Sequence, residues 1–202
     1  MARYIGPKCR KCRRYGVPLC GTAKCALLRR PNPPGPRPVR RRKISDRGQQ
    51  LIEKQKVRFA YGLMEAQFRR YYERATTRQG VTGHNLMRLL EERLDNVVFR
   101  MGLGATRAQA RQLVTHGLIA VDGKKLSIPS ARTKVGQVIS FTDRGRKSGF
   151  YKILQEEIAA RDVPAWLELD RKAITGRVIS EPGPGDWESY YNPNAVIEYY
   201  SR

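Results

Sequence analysis

The sequence predicts an α+β protein. A mainly helical domain carries an N-terminal four-cysteine metal knuckle and is joined to a small module of two helices packed on a short antiparallel sheet. Three observations point there. Leu86, Leu89, Leu90, Leu94, Val97, Val98 and Met101 recur at i, i+3, i+4 and i+7, the spacing of a helix with one dry face. Thr106, with Gln109 three residues on, forms a capping box, and Gly117 then leads to apolar runs flanking Asp122-Gly123, a type I′ hairpin signal. All four cysteines fall within KCRKCRRYGVPLCGTAKC, Lys8 to Cys25.

Taken in order, residues 1–30 form a small irregular unit around the cysteines. RPNPPGPRP, Arg30 to Pro38, holds five prolines that forbid helix and favour an extended path, and Arg40 to Lys43 continue it as a basic arm. Ile44 to Ala75 reads as two helices, with Ser45 or Asp46 capping the first and Gly62 marking the joint. Arg58, Arg69, Arg70 and Arg74 lie among its aromatics. Thr82 to Gly104 reads as one helix ended by Gly102 and Gly104. A helix from Thr106 to His116 follows, then the hairpin, then a third strand at VGQVISF, Val135 to Phe141. A helix from Ser148 to about Arg161 is stopped by Pro164. ISEPGPGDWESYYNPN is turn-rich, and AVIEYYSR alternates as a short strand would.

The 202 residues carry 40 Lys and Arg against 18 Asp and Glu, a net charge of +22. Such an excess destabilises a compact chain by self-repulsion, and a polyanion removes that cost. Nucleic acid is the expected partner. No apolar run approaches the roughly 20 residues needed to cross a bilayer, so a cytoplasmic chain with reduced thiols is expected. The two histidines, His84 and His116, join no catalytic constellation. Glu91 and Glu92 read as the solvated edge of a helix. No phosphate-binding glycine loop or nucleophile elbow is present, so no enzymatic activity and no small-molecule substrate are expected.

The helix after Thr106 carries Arg107 and Arg111 at i, i+4, with Gln112 and His116 on the adjacent surface and Lys124 and Lys125 at the hairpin. A cationic stripe of this kind fits a phosphate backbone, with arginine offering several planar donors.

RLDNVVFRMGLGATRAQARQLVTHGLIAVDGKKLSIPS, residues 93–130, resembles the S-four RNA-binding module. ARYIGPKCRKCRR, LIEKQKVRFAYGLMEAQFRRYY, PAWLELD and VIEYYSR extend the resemblance over essentially the whole chain, to the bacterial-type small-subunit ribosomal protein number four. The resemblance implies a structural protein that binds small-subunit ribosomal RNA directly and nucleates assembly of the subunit body. It implies a place near the messenger entry channel beside neighbouring ribosomal proteins, an influence on decoding accuracy and, in some members, repression of their own messenger. The alternative is an RNA-modifying enzyme or a ribosome-rescue factor carrying the same module; the short, turn-rich segment after the module leaves no room for a modifying domain.

The domains expected are 1–43, knuckle and basic arm; 44–91, helical rRNA-binding domain; 92–155, S-four module; and 156–202, a segment returning to the helical domain. Expected rRNA contacts are Arg3, Arg13, Arg14, Arg47, Lys54, Arg58, Arg69, Arg70, Arg107, Arg111, Gln112, His116, Lys124 and Lys125. Arg41, Lys43 and Arg47 are expected by the messenger entry channel. PGPRP lacks the histidine frequent in the family at that point. EPGPGDWES departs from its usual arginine-bearing run, so no contact is expected there.

The cysteines Cys9, Cys12, Cys20 and Cys25 are spaced C-x2-C-x7-C-x4-C. In a reducing compartment that spacing fits one zinc ion on four thiolates. A four-iron four-sulfur cluster uses the same ligands and is the alternative. The gap of seven implies a compact knuckle without a helix. Flanking cations offset the net −2 of a four-thiolate zinc site, and their surplus can face RNA.

Overall fold

The computed structural model describes residues 4–36 and 43–201. Arg3 and Arg41, both expected to touch nucleic acid, lie outside the described residues. The chain divides into two compact units, Met1–Met87 with Trp187–Arg202, and Arg88–Asp186. No helix among the described residues is long and apolar enough to cross a membrane.

The first unit begins with α1 (Lys8–Tyr15) and α2 (Ala26–Arg29). The knuckle is therefore helical where an irregular unit was expected. α1 carries Cys9 and Cys12 one turn apart and runs into the seven-residue gap before Gly16, at φ 70°, turns the chain. α3 (Asp46–Ala60) starts at Ser45, whose hydroxyl accepts from the amide of Gly48 at 3.2 Å. Gly62, at φ 64°, makes the joint to α4 (Glu65–Thr76). α5 (Thr82–Glu91) follows and runs across the division between the units.

The chain end, read as a strand, is instead α10 (Pro193–Tyr200), capped by the side chain of Asn192. Its buried Val196 and the ring of Tyr200, 6.2 Å from that of Phe68, face the helical core. Gln50 of α3 donates to Glu198 at 2.9 Å. A short apolar run fits both periods, and the Asn-Pro helix start decides between them.

The second unit contains α6 (Leu94–Arg100), α7 (Arg107–Thr115), β1 (Ile119–Val121), β2 (Lys124–Lys125), β3 (Val138–Phe141), α8 (Asp143–Arg146), α9 (Gly149–Glu157), β4 (Leu167–Asp170) and β5 (Thr175–Val178). The strands form one antiparallel sheet in the order β2-β1-β3-β5-β4. The sheet thus extends past residue 155, and residues 156–186 belong with this unit; only Trp187–Arg202 returns to the first. The pairing of β5 with β3 through Val138 and Arg177 draws that segment in. Leu94, Val97, Val98, Leu113, Ile119, Ile139, Phe141 and Trp166 are among its core residues.

The long helix expected from Thr82 to Gly104 breaks at Glu92-Arg93. Arg93 is extended, at φ −67° and ψ 136°, and bridges to Arg132. The amides of Leu94 and Asp95 donate to the carbonyls of Ala131 and Pro129, and the amide of Thr133 donates to that of Glu92. Residues 129–133 supply partners that the helix would otherwise provide, so tertiary pairing overrides a continuous periodicity. The same break buries Glu91 and Glu92, which the sequence reading left solvated.

Candidate functional site

The thiols of Cys9, Cys20 and Cys25 converge, their sulfurs all within 4.8 Å of one another. Cys9 comes from α1, Cys20 from the turn after Pro18, and Cys25 is the N-cap of α2. Tetrahedral zinc at about 2.3 Å from each sulfur would place them about 3.8 Å apart, so the cluster is near ligand spacing. Cys12 is fully buried beside them, and its thiol interacts with those of Cys20 and Cys25 while facing the carbonyl of Lys8 at 3.6 Å. Burial, reinforced by the Cys20 thiol, pushes Cys12 up to about 12. Burial opposes ionisation of Cys20 too, but the hydroxyl and amide of Thr22 and the thiols of Cys25 and Cys12 outweigh it, bringing Cys20 down to about 7. Thr22 Oγ1 lies 3.0 Å from its sulfur. No disulfide joins the four. A set of soft sulfur donors, one of them already inclined to ionise, fits a thiophilic metal.

The knuckle is fastened on two sides. Lys11 lies over the rings of Tyr4 and Phe59, 4.8 and 4.3 Å from their centroids, which docks α1 on α3. Burial lowers the Lys11 pKa, and Arg14, Arg58 and Arg10 add to that. Arg13 donates to the carbonyls of Arg30 and Asn32 at 3.1 and 2.9 Å, and so holds the proline-rich segment against α1. Arg14 is exposed.

Elsewhere in the first unit the expected RNA contacts separate into two groups. Lys43, Arg47, Arg69 and Arg70 are exposed. Arg47 sits over Tyr199 at 5.4 Å, and Arg69 pairs with Glu73 on a surface open to water. Lys54 and Arg58 are turned inward instead. Lys54, 3% exposed, donates to Glu65 at 2.7 Å and faces the ring of Tyr199 at 4.5 Å. Arg58 donates to Gln55 at 2.7 Å and lies 3.5 Å from Glu65. Glu65 also accepts from the hydroxyl of Tyr200 at 2.6 Å, so it joins α3, α4 and α10. In the sequence Glu65 is marked only as an acid in the first turn of an aromatic-rich helix.

In the second unit, α7 is capped by Thr106, which accepts from the amide of Gln109 at 3.2 Å. Gln109 reaches back to the amide of Ala105 at 2.7 Å, one residue before the cap itself. Arg111 donates to Asp95 at 3.0 Å, leaving its side chain 11% exposed. Arg107 donates to Asn96 at 2.8 Å with its guanidinium 4.6 Å from the centroid of Phe99. Both arginines lean onto α6. Asp95 and Asn96, buried between Leu94 and Val97, are thus anchors that sequence reasoning missed. An Asp-Asn pair interrupting an otherwise dry face was the available signal.

Gln112 on α7 and His116, the residue that caps its C-terminal end, stay exposed. Gly117, at φ 68°, ends the helix, and Asp122 and Gly123, at φ 49° and 76°, turn β1 into β2. Lys124 and Lys125 are exposed on β2. Gln112 and His116 are thus exposed along α7 and its C-terminal end, the Lys125 stem lies over the Gly117 that follows, and Arg107 and Arg111 hold α7 to α6.

Residues 3–91 match the family described as ribosomal protein S4/S9 N-terminal domain, and residues 92–139 match the S4 domain. Small ribosomal subunit protein uS4 of Dehalococcoides mccartyi (strain CBDB1) is 50% identical over a 208-residue alignment that covers both chains entirely. The protein of the same name from Desulforamulus reducens is 48% identical over the same full coverage. Small ribosomal subunit protein uS4A of Clostridium novyi (strain NT) is likewise 48% identical over the whole of both chains.

Proposed function

This chain belongs to the uS4 family of small ribosomal subunit proteins and is a structural, non-enzymatic constituent of that subunit; from that premise we propose which residues hold ribosomal RNA and what the cysteines do. The observation that carries the reading is the α7–hairpin corner. Gln112, His116, Lys124 and Lys125 are exposed there, and neither lysine has an ion-pair partner among the described residues. Phosphates and 2′-hydroxyls of a folded RNA accept from such donors, and shape rather than base sequence is what they read. Arg107 and Arg111 position the helix through Asn96 and Asp95. In the first unit Arg14, Arg47, Arg69 and Arg70 make that unit's own exposed cationic surface. Lys54 and Arg58 act through the Glu65 cluster, holding α3 and α4 in place beneath it.

The finer functional reading follows the family likeness. The protein binds the small-subunit rRNA early and nucleates the subunit body. Lys43 and Arg47, with Arg41, lie by the entering messenger beside neighbouring ribosomal proteins and affect decoding accuracy. Repression of its own messenger and a cytoplasmic location belong to the same reading.

Cys9, Cys12, Cys20 and Cys25 hold one zinc ion. The convergence of three sulfurs, with the fourth buried against them, supports this. The ion supplies a crosslink within residues 1–30 and no chemistry on RNA. Metal analysis of the purified protein is expected to find one zinc per chain; several irons with acid-labile sulfide would replace that assignment with a cluster.

The test of RNA binding is a titration of the full chain against a folded small-subunit rRNA junction fragment over a range of salt. Affinity is expected to fall steeply with salt, since each phosphate contacted releases counterions. Salt-insensitive binding, or equal affinity for duplex DNA at matched salt, overturns the reading.

A further inference from the structure

We propose that α8, with Arg144, Arg146 and Lys147, is a second phosphate-gripping prong of the module, set across the Gly117 corner from the hairpin lysines. The inference rests on the rRNA-binding reading above and adds a site outside the residues named there.

The charged run DRGRK could have been a solvated connection. The structure makes it one turn of helix fixed in place. Thr142 caps it, accepting from the amide of Gly145 at 3.2 Å. The same hydroxyl donates to the carbonyl of Gly117 at 3.2 Å, and the Thr142 amide donates to the carbonyl of Leu118 at 2.9 Å. Gly145 is buried so closely that a Cβ there would stand 2.6 Å from the Leu118 carbonyl oxygen and 2.9 Å from the Phe141 ring. Only glycine lets this turn dock on the chain leaving α7. Ser148 then closes it, its hydroxyl donating to the Gly145 carbonyl at 2.6 Å.

Gly117 meets the hairpin on another side. A Cβ at Gly117 would collide with Cε of Lys125, so the lysine stem lies over this bare stretch of backbone. One residue thus carries two basic elements. The α8 turn hangs from its carbonyl, and Lys125 crosses its α-carbon.

The charges left over are what point to a polyanion. Arg144, Arg146 and Lys147 are exposed, and none has an ion pair among the described residues. The acid beside them, Asp143, occupies the first turn of α8, where the helix dipole favours it. Arg107 and Arg111 are engaged with Asn96 and Asp95. Cations on a rigid turn bind phosphates with less ordering cost than cations on a mobile loop.

The test compares two triple variants of the full chain against the same rRNA fragment. One carries Arg144→Ala, Arg146→Ala and Lys147→Ala. The other, Arg171→Ala, Lys172→Ala and Arg177→Ala, removes equal charge from the β4–β5 region. Gly145, Thr142 and Ser148 are retained, and an unchanged thermal midpoint checks the fold. The α8 variant is expected to bind about tenfold or more weakly and to lose about two units of salt slope, at roughly 0.7–0.9 per phosphate contact. The control is expected to lose little. Arg144→Lys with Arg146→Lys, keeping Lys147, should bind close to wild type. Equal losses in both triple variants would reduce the effect to net charge and overturn the site, as would unchanged affinity in the α8 variant. Failure of the wild-type chain to bind the fragment would instead defeat the parent reading.

Discussion

Asp95 and Arg111 meet at 3.0 Å at the base of the S4 module, and the same carboxylate accepts two hydrogen bonds from Arg93 at 3.0 and 2.8 Å. Arg93 is 1% exposed and Asp95 5%. One carboxylate therefore satisfies a buried guanidinium from the break between α5 and α6 and a second from α7. The attraction between such groups is offset by their desolvation, so the triad need not stabilise the fold relative to apolar residues. What it does is specify where α7 sits on α6.

Removing the carboxylate should therefore cost more than the pair contributes. Asp95→Ala leaves Arg93 buried without its bidentate acceptor. Urea unfolding is expected to show a loss of about 3–5 kcal/mol, with rRNA affinity falling as α7 loosens. A loss below about 1 kcal/mol would show that water or relaxation supplies the missing acceptor.

Glu65 gives the first unit an acid-sensitive joint. Burial works against its charge, but hydrogen bonds from Lys54 and Tyr200, with Arg58 nearby, outweigh this and hold its pKa below the ordinary value of 4.5. A depressed carboxylate contributes stability that is full above the ordinary value and is lost as pH falls through the folded one. Glu65→Gln is therefore expected to lower stability at neutral pH and to flatten the decline below pH 4.5. Denaturation midpoints taken across that range check it, and parallel curves for the two proteins would remove Glu65 from the acid response.

Local chemistry was legible in the sequence, and long-range pairing was not. Ser45, Thr106, Gly62, Gly117 and Asp122-Gly123 act as their types predict because caps and turns are decided within a few residues. The break at Arg93 was hidden because its hydrogen-bond partners, Pro129, Ala131 and Thr133, lie far along the chain. The sheet looked shorter than it is because β4 and β5 join it only through tertiary pairing with β3. At the candidate site, residue type picked out the basic residues, but exposure could not be read from type. Arg107 and Lys54 carry the same charge as Lys124 and point to internal partners.

Gly104 tests how closely α7 must approach the turn before it. A Cβ at this position would stand 2.8 Å from the amide nitrogen of Ala110 and 3.0 Å from its Cα. The neighbour is helix backbone, which cannot swing aside as a side chain end can. Gly104→Ala is expected to destabilise the second unit by about 1–3 kcal/mol, the usual range for overpacking. A stability equal to wild type would mean that α7 slides without cost. Hydrogen exchange should place the loss in α6 and α7 and spare α10.

The cysteine cluster makes a prediction of the opposite kind, a local loss that leaves RNA recognition by the module standing. Cys9 is the partly exposed member of the converging set, so Cys9→Ser alters a ligand without opening a core. Serine is a poor zinc donor, and the variant is expected to lose the metal and to expose the amides of residues 8–29 to exchange. Unit two shares no ligand with the knuckle, so its unfolding midpoint should be unchanged. Affinity for rRNA should fall only by the share that Arg14 and its neighbours contribute, with the α7–hairpin corner still binding in a salt-dependent way. Retention of a full equivalent of metal in Cys9→Ser would remove Cys9 from the ligand set. Collapse of the second unit would show that the knuckle supports more of the chain than its contacts imply.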